Sequence, residues 1–255
     1  MSSKYFARRF SNQVALVVGG AQGIGKAIAT RLAGEGAHVV IGDRDAVMMK
    51  RTSAEITTAG GNVRTVGCDV RRSQQVNRMV EQTIHWHKKI DILMYVAGVV
   101  KALPFAKTSE KDWDDVLNIN LRGAFLTSRA VVPHMIRQKR GKLIFMSSTN
   151  AWDAEGELAS YNASKSGLYL LCKTLARELG HYGITSNAVG PGVIKTRMAE
   201  PILKDPRFMK KYAATIPAGR LGDPEDVAGP ATFLASPDAD YVNGVLLFVD
   251  GGYLA

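Results

Sequence analysis

Val14-Ala15-Leu16-Val17-Val18-Gly19-Gly20-Ala21-Gln22-Gly23-Ile24-Gly25 begins as an apolar run of strand length and then turns through Gly19, Gly23 and Gly25. Beyond the turn, Ile24, Ala27, Ile28 and Leu32 recur with helical spacing, and the run stops at Gly36. Strand, glycine turn and helix in this order set a helix N-terminus at the end of a buried strand. Glycine there permits positive φ and close approach of a ligand to the backbone. The helix start adds free N–H donors and partial positive charge, which suit a pyrophosphate. Gly19, Gln22, Gly23, Ile24 and Gly25 are the candidate contacts. The spacing Gly-x-x-x-Gly-x-Gly is one residue longer than the common dinucleotide fingerprint, and such turns also serve packing alone in α/β folds.

Working outward, apolar strands and amphipathic helices alternate. Strands are expected at 38–42, 63–67, 90–97, 143–146, 184–189 and 245–249, and helices at 45–59, 73–88, 110–138, 161–179 and 224–235. Asp223 is placed to cap the last helix, with Pro224 at its first position. Continuously apolar strands between helices indicate a parallel sheet covered on both faces. Right-handed crossovers then give a doubly wound, Rossmann-like α/β fold with a seven-stranded parallel sheet. No linker or repeat interrupts the pattern, so a single domain is expected over 13–255, after a basic and aromatic tail over 1–12.

The chain has 255 residues, long enough to bury a core without staples, and carries a net charge of +10. Its basic residues are scattered apart from one tight cluster, Arg137 to Lys142, so nucleic-acid binding is not expected. Cys68 and Cys172 are too few for a disulfide framework, and fit thiols in a reducing, cytoplasmic setting. No apolar run reaches the ~18 residues that span a bilayer, and the start lacks a secretory apolar core. The five histidines show no metal-ligand pattern, so no metal is expected.

Asp43 ends the second strand near the offset of a ribose-binding acid. A carboxylate there accepts from ribose hydroxyls and repels a 2′-phosphate, favouring NAD over NADP. Arg44 argues the other way, since it can swing in to bind a phosphate. Far downstream, Tyr161 and Lys165 stand one helical turn apart and share a face. An ammonium ~5 Å from a phenol, at an effective dielectric of ~20, favours the phenolate by about 3 kcal/mol, or roughly 2 pKa units. Burial opposes this. The expected net result moves Tyr161 toward neutral pH, where acid–base work is most efficient.

Gly19-x-x-x-Gly23-x-Gly25, Asn120, Ser148 and Tyr161-x-x-x-Lys165, in this order, resemble the short-chain dehydrogenase/reductase family, and the likeness runs from about Val14 to Gly252. Asn187-Ala188-Val189-Gly190-Pro191-Gly192, Thr196, Arg220 to Ala228, and Asp250-Gly251-Gly252 fit it too. The resemblance implies a catalytic set of Asn120, Ser148, Tyr161 and Lys165. Tyr161 and Lys165 also meet the cofactor, and Asn120 acts as a relay through its helix backbone and a water toward Lys165. Ser148 orients the reacting oxygen, and the neighbouring Ser147 is taken as structural. Asp69 and Val70 would lie by adenine, Ala97 and Gly98 by the adenine ribose. Pro191, Gly192 and Ile194 would pass the nicotinamide, and Thr196 would reach the diphosphate. Val18 and Tyr95-Val96 depart from the family's usual residues, which puts some hydrogen bonds around the turn and fourth strand in doubt.

The implied reaction is reversible oxidation of a secondary alcohol to a ketone. The pocket wall is expected from Thr149 to Leu158, from Val99 to Leu103, and from a lid at about 195–215. Ser148, Asn150 and Tyr161 are the candidate substrate contacts. Asn150, Asp153, Glu155 and Glu157 suit a polyhydroxylated substrate. The basic lid residues could suit an anionic one, or form a solvated surface. Three readings stand: a NAD-dependent sugar, polyol or related dehydrogenase; an NADPH-dependent reductase of ketones or 3-oxoacyl thioesters; and a dinucleotide-binding protein without turnover. The resemblance also implies a homotetramer.

Overall fold

The computed structural model describes residues 8–203 and 212–255. Its strands are β1 (Val14–Val18), β2 (His38–Asp43), β3 (Asn62–Gly67), β4 (Ile92–Tyr95), β5 (Gly141–Met146), β6 (Ile184–Pro191) and β7 (Leu246–Val249). They form one seven-stranded sheet in the order β3-β2-β1-β4-β5-β6-β7, and every neighbouring pair is parallel. The helices are α1 (Gly23–Gly34), α2 (Ala46–Thr58), α3 (Ser73–His87), α4 (Glu110–Leu117), α5 (Gly123–Gln138), α6 (Ala159–Leu179), α7 (Glu200–Leu203) and α8 (Pro224–Ala235).

Strand alternation divides the core between the two faces of the sheet. Ala15 and Val17 of β1 join Ile28, Leu32, Ile56, Val227 and Leu234 under α1, α2 and α8. Leu16 and Val18 join Val76, Met79, Val131, Leu168 and Cys172 under α3, α5 and α6. Both cysteines are buried free thiols. Asp223 is the N-cap of α8 as expected, but its carboxylate pairs with Lys195 at 3.0 Å, while Asp226 accepts the Asp223 N–H at 2.8 Å.

Three expectations are revised. The long helix over 110–138 is interrupted by a π-helical turn, Asn118–Arg122. Passage from i+5 back to i+4 bonding leaves one carbonyl over, and the Tyr95 hydroxyl donates to the Ile119 carbonyl at 2.5 Å. Second, the fourth strand is shorter than 90–97. Val96 and Ala97 N–H both turn to the Val18 carbonyl, at 2.8 and 3.0 Å. Third, the end of the tail is fastened down: Phe10 is fully buried, its N–H reaches the Glu35 carbonyl at 3.0 Å, and Arg9 pairs with Glu35 at 2.6 Å. Residues 1–7 of that tail lie outside the described residues.

The basic cluster at 137–142 also disperses. Lys142 is buried and pairs with Asp240 at 2.6 Å, while Arg137 meets His134. Two histidines approach each other: His38 at the start of β2 and His87 at the end of α3 bring their rings to 5.4 Å. Among the described residues no group of three or more His, Cys, Asp or Glu could hold a metal ion, and no helix is long and apolar enough to cross a membrane.

Candidate active site

A cleft of about 340 Å³ opens at the carboxyl ends of the strands, where the sheet order reverses between β1 and β4. This is the ligand position that doubly wound sheets favour. Gly19, Gln22, Gly23, Ile24, Gly25, Asp43, Arg44, Asp69, Val70, Ala97, Gly98, Pro191, Gly192, Ile194 and Thr196 all line it, with Ser148, Asn150, Tyr161 and Lys165. Asn120 sits behind the wall.

At one end the turn is drawn tight. Gly19 has φ +82° and a side chain there would strike the Ala97 backbone; one at Gly25 would strike the Gly19 carbonyl. These positions leave the first turn of α1 bare toward the cleft. Asp43 is held by two backbone donors, Ala21 N–H and Asp45 N–H, each at 3.1 Å. Arg44 is exposed and forms no ion pair or hydrogen bond among the described residues. The Asp69 carboxylate is turned away toward Arg71, with Oδ2 at 2.7 Å, and that guanidinium holds it below the usual carboxylate range. Thr196 lies against Gly23, and its hydroxyl donates to the Ile194 carbonyl at 3.3 Å.

At the other end, β5 delivers Ser147 and Ser148, and α6 delivers Tyr161 and Lys165. Ser147 donates to the Lys165 carbonyl at 3.0 Å, tying strand to helix. Ser148 Oγ lies beside the Tyr161 phenol, where it favours the ionised form. It donates to Asn150 Oδ1 at 3.1 Å and accepts from Asn150 N–H at 3.2 Å. Lys165 is buried, with Nζ donating to the Met146 carbonyl at 2.7 Å and lying 5.5 Å from the centre of the Tyr161 ring. Asn120 accepts from Val99 N–H at 2.8 Å and donates to the Val99 carbonyl and to Ser164 Oγ, at 3.0 and 2.9 Å.

The expected lowering of the Tyr161 pKa does not occur. Burial pushes the phenol up, the Ser148 contact only partly offsets this, and Glu155 adds to the rise. Burial also lowers Lys165 to about 8. The ammonium is aimed at a carbonyl rather than at the phenol oxygen, so desolvation outweighs attraction.

Of the expected substrate wall, Thr149, Asn150, Glu155 and Leu158 line the cleft with Val99 and Val100; Asp153 and Glu157 stay outside it, exposed. Residues 204–211, with the lid residues Lys204, Arg207, Phe208, Met209, Lys210 and Lys211, lie outside the described residues. Sequence reasoning passed over Asn162, which accepts from Asn150 Nδ2 at 3.0 Å and donates to the Glu155 carbonyl at 2.8 Å. Its place beside Tyr161 was the available signal. Tyr212, within the lid expected at about 195–215, lines the cleft, whereas no signal distinguishes Ser164 from an ordinary helix residue.

A family model described as enoyl-(acyl carrier protein) reductase matches residues 19–254. A hydroxy(phenyl)methyl-succinyl-CoA dehydrogenase subunit from Thauera aromatica is 40% identical, over 94% of this chain and 96% of its own. An L-rhamnose-1-dehydrogenase from Scheffersomyces stipitis is 38% identical, over 95% of this chain and 96% of its own. A crystal structure provisionally named an NAD(P)-dependent gluconate 5-dehydrogenase, from Beutenbergia cavernae with NADP bound at low occupancy, superimposes with TM-score 0.93 at 33% identity, covering 98% of both chains. Sequence, fold and site together make this chain a member of the short-chain dehydrogenase/reductase family, an oxidoreductase acting on alcohols and ketones.

Proposed function

We propose that this protein is a NAD-dependent dehydrogenase that interconverts a sugar, polyol or similar secondary alcohol with its ketone, using Tyr161 as acid and base. The observation that carries this reading is the meeting of Tyr161, Ser148 and Lys165 at one end of a cleft whose other end is the glycine turn and Asp43. The cleft fits a dinucleotide: positions 19 and 25 exclude any side chain larger than glycine's, the α1 N–H groups face inward, and a carboxylate stands where a ribose would need an acceptor. When bound, the nicotinamide supplies or accepts the hydride.

The protein's own residues manage the oxygen and its proton. Ser148, fixed by Asn150, offers a hydroxyl to hold the reacting oxygen. Tyr161 gives the proton to a carbonyl oxygen, or takes it from an alcohol. Lys165 supplies positive charge behind it, and Asn120 holds the Val99 turn beside Gly98, whose Cα faces both Asn120 and Lys165. Asp43 supports NAD because its carboxylate is fixed in place and disfavours a 2′-phosphate. Arg44, exposed on the same cleft, supports the alternative of an NADPH-dependent ketone or 3-oxoacyl thioester reductase. Exposed Phe125 on α5 and Leu170 on α6 support a homotetramer built across those helices, and the buried free thiols suit a cytoplasmic setting.

The test is turnover of sugars, polyols and hydroxy acids with NAD and NADP, followed by nicotinamide absorbance, together with a Tyr161→Phe variant. The variant should lose about 10²- to 10⁴-fold in kcat while still binding NADH. Full activity in that variant would refute the role of the phenol.

A further inference from the structure

The reacting end of the cleft contains one acidic side chain that the proton chemistry does not use. Glu155 lines the cleft near Ser148, Asn150, Leu158 and Tyr161. Its backbone carbonyl is pinned by Asn162 Nδ2 at 2.8 Å, and Asn162 is in turn bound to Asn150. The segment that carries Glu155 is therefore braced against the same residues that fix Ser148. Tyr212 lines the same cleft, its hydroxyl near the Glu155 carboxylate, where it favours the ionised form, and its ring stacks on Tyr253 at 5.7 Å. No Lys or Arg among the described residues forms an ion pair with it. Arg197, an exposed cation that also lines the cleft, follows Thr196, which packs against Gly23 at the diphosphate end.

A carboxylate so placed has spare acceptor capacity and, among the described residues, no ion-pair partner. Hydrogen bonds to charged acceptors are stronger than neutral ones, so a hydroxyl reaching it gains more than from an amide. A second carboxylate in the same small space meets like charge with little water to screen it. Burial and neighbouring Asp153 already push the Glu155 carboxyl upward, a sign that the site resists further negative charge.

We propose that Glu155, with Tyr212 beside it, is the specificity-determining residue of this site, selecting an uncharged polyhydroxylated alcohol or ketone and rejecting one that carries a carboxylate close to the reacting carbon. The inference rests on the dehydrogenase reading above and narrows it. Glu155 binds a substrate hydroxyl adjacent to the one that reacts, and Tyr212 holds the carboxylate toward it. The apolar wall of Val99, Val100 and Leu158 takes the carbon skeleton on the opposite side.

The experiment compares kcat/KM for a neutral polyol, D-sorbitol, and the matching aldonate, D-gluconate, in the wild type and in Glu155→Gln. The melting temperature of each NADH-loaded protein is read with the same compounds. The wild type should prefer the neutral compound by at least about tenfold, and Glu155→Gln should erase most of that preference by weakening the neutral compound and admitting the aldonate. Tyr212→Phe should raise KM for the neutral compound severalfold with little change in kcat, and serves if Glu155→Gln folds poorly. An aldonate preferred by the wild type, or a ratio that Glu155→Gln leaves unchanged, overturns the proposal. NADH titrations separate the two levels. Failure of the wild type to bind NADH removes the NAD-dependent reading itself, whereas NADH binding with neither turnover nor stabilisation by neutral compounds overturns only the substrate class.

Discussion

Cofactor choice rests on one carboxylate, and its contribution can be worked out. Asp43 is fixed by the N–H groups of Ala21 and Asp45, so it cannot rotate away from a 2′-phosphate. At a separation on the order of 5 Å and an effective dielectric of ~20, each unit of phosphate charge is opposed by about 3 kcal/mol. Asp43 is half-exposed, and solvent and salt reduce that to roughly 1–2 kcal/mol. Asp43→Ala should therefore improve NADPH binding about 5- to 30-fold relative to NADH, while NADH itself weakens through loss of the ribose acceptor. Fluorescence titration of both cofactors reads the two constants, and Arg44→Ala measured alongside isolates the guanidinium. A ratio in Asp43→Ala within about twofold of wild type, with NADPH lost selectively in Arg44→Ala, would refute the reasoning and make Arg44 the residue that chooses.

Tyr95→Phe removes the donor to the Ile119 carbonyl and leaves that buried acceptor unpaired, so urea unfolding should show a loss of about 1–3 kcal/mol. The same variant should lower kcat more than it alters NADH binding, because the π-turn it releases carries Asn120. Lys165→Met tests burial of the ammonium in the cofactor-free protein. Its folded pKa, about 8, lies below the unfolded value near ~10.4, so the unfolded chain binds more protons between them. The penalty is full below about pH 8 and fades as pH rises toward the unfolded pKa. The stability of the variant relative to wild type should therefore be greatest at neutral pH and fall on approaching about pH 10, measured by denaturant titration at both.

The order of strands and helices was legible because most strands centre on an apolar run, as at 14–18, 39–41, 92–95 and 143–146, and glycines mark several of the turns. The carboxyl-edge site followed from the same pattern, since Gly19, Asp43, Ser148 and Pro191 all close or follow a strand. Features made by distant partners were not legible. The interruption at Asn118–Arg122 depends on a hydroxyl that arrives from β4, and no local rule distinguishes Asn118-Ile119-Asn120 from ordinary helix. Tyr95 looked like a defect in a hydrogen-bonding motif, yet its phenol takes over a backbone acceptor, and Gly123 clears the space for it. The pairing of His38 with His87 likewise depends on sheet order alone.

The sign of the Tyr161 shift has a consequence for direction. A helix turn places Tyr161 and Lys165 together, but it does not determine where the ammonium points. Lys165 Nζ spends its hydrogen bond on the Met146 carbonyl, and burial then works against charge on both groups. The phenol accordingly rests protonated, ready to donate to a ketone oxygen, while alcohol oxidation needs it to have given its proton up. Because its pKa is raised, the fraction in the basic form grows throughout the alkaline range. Initial-rate kcat/KM for oxidation should therefore climb with pH from neutrality. The reductive kcat/KM should hold at neutral pH and fall only at alkaline pH, with a Lys165 limb beginning near about 8 unless the bound cofactor's negative charge raises it. Initial rates free this comparison from the proton released in the overall equilibrium. An oxidative profile flat from neutral to alkaline pH would mean that the cofactor-loaded site reverses the order found here, with the ammonium turned from the carbonyl to the phenol.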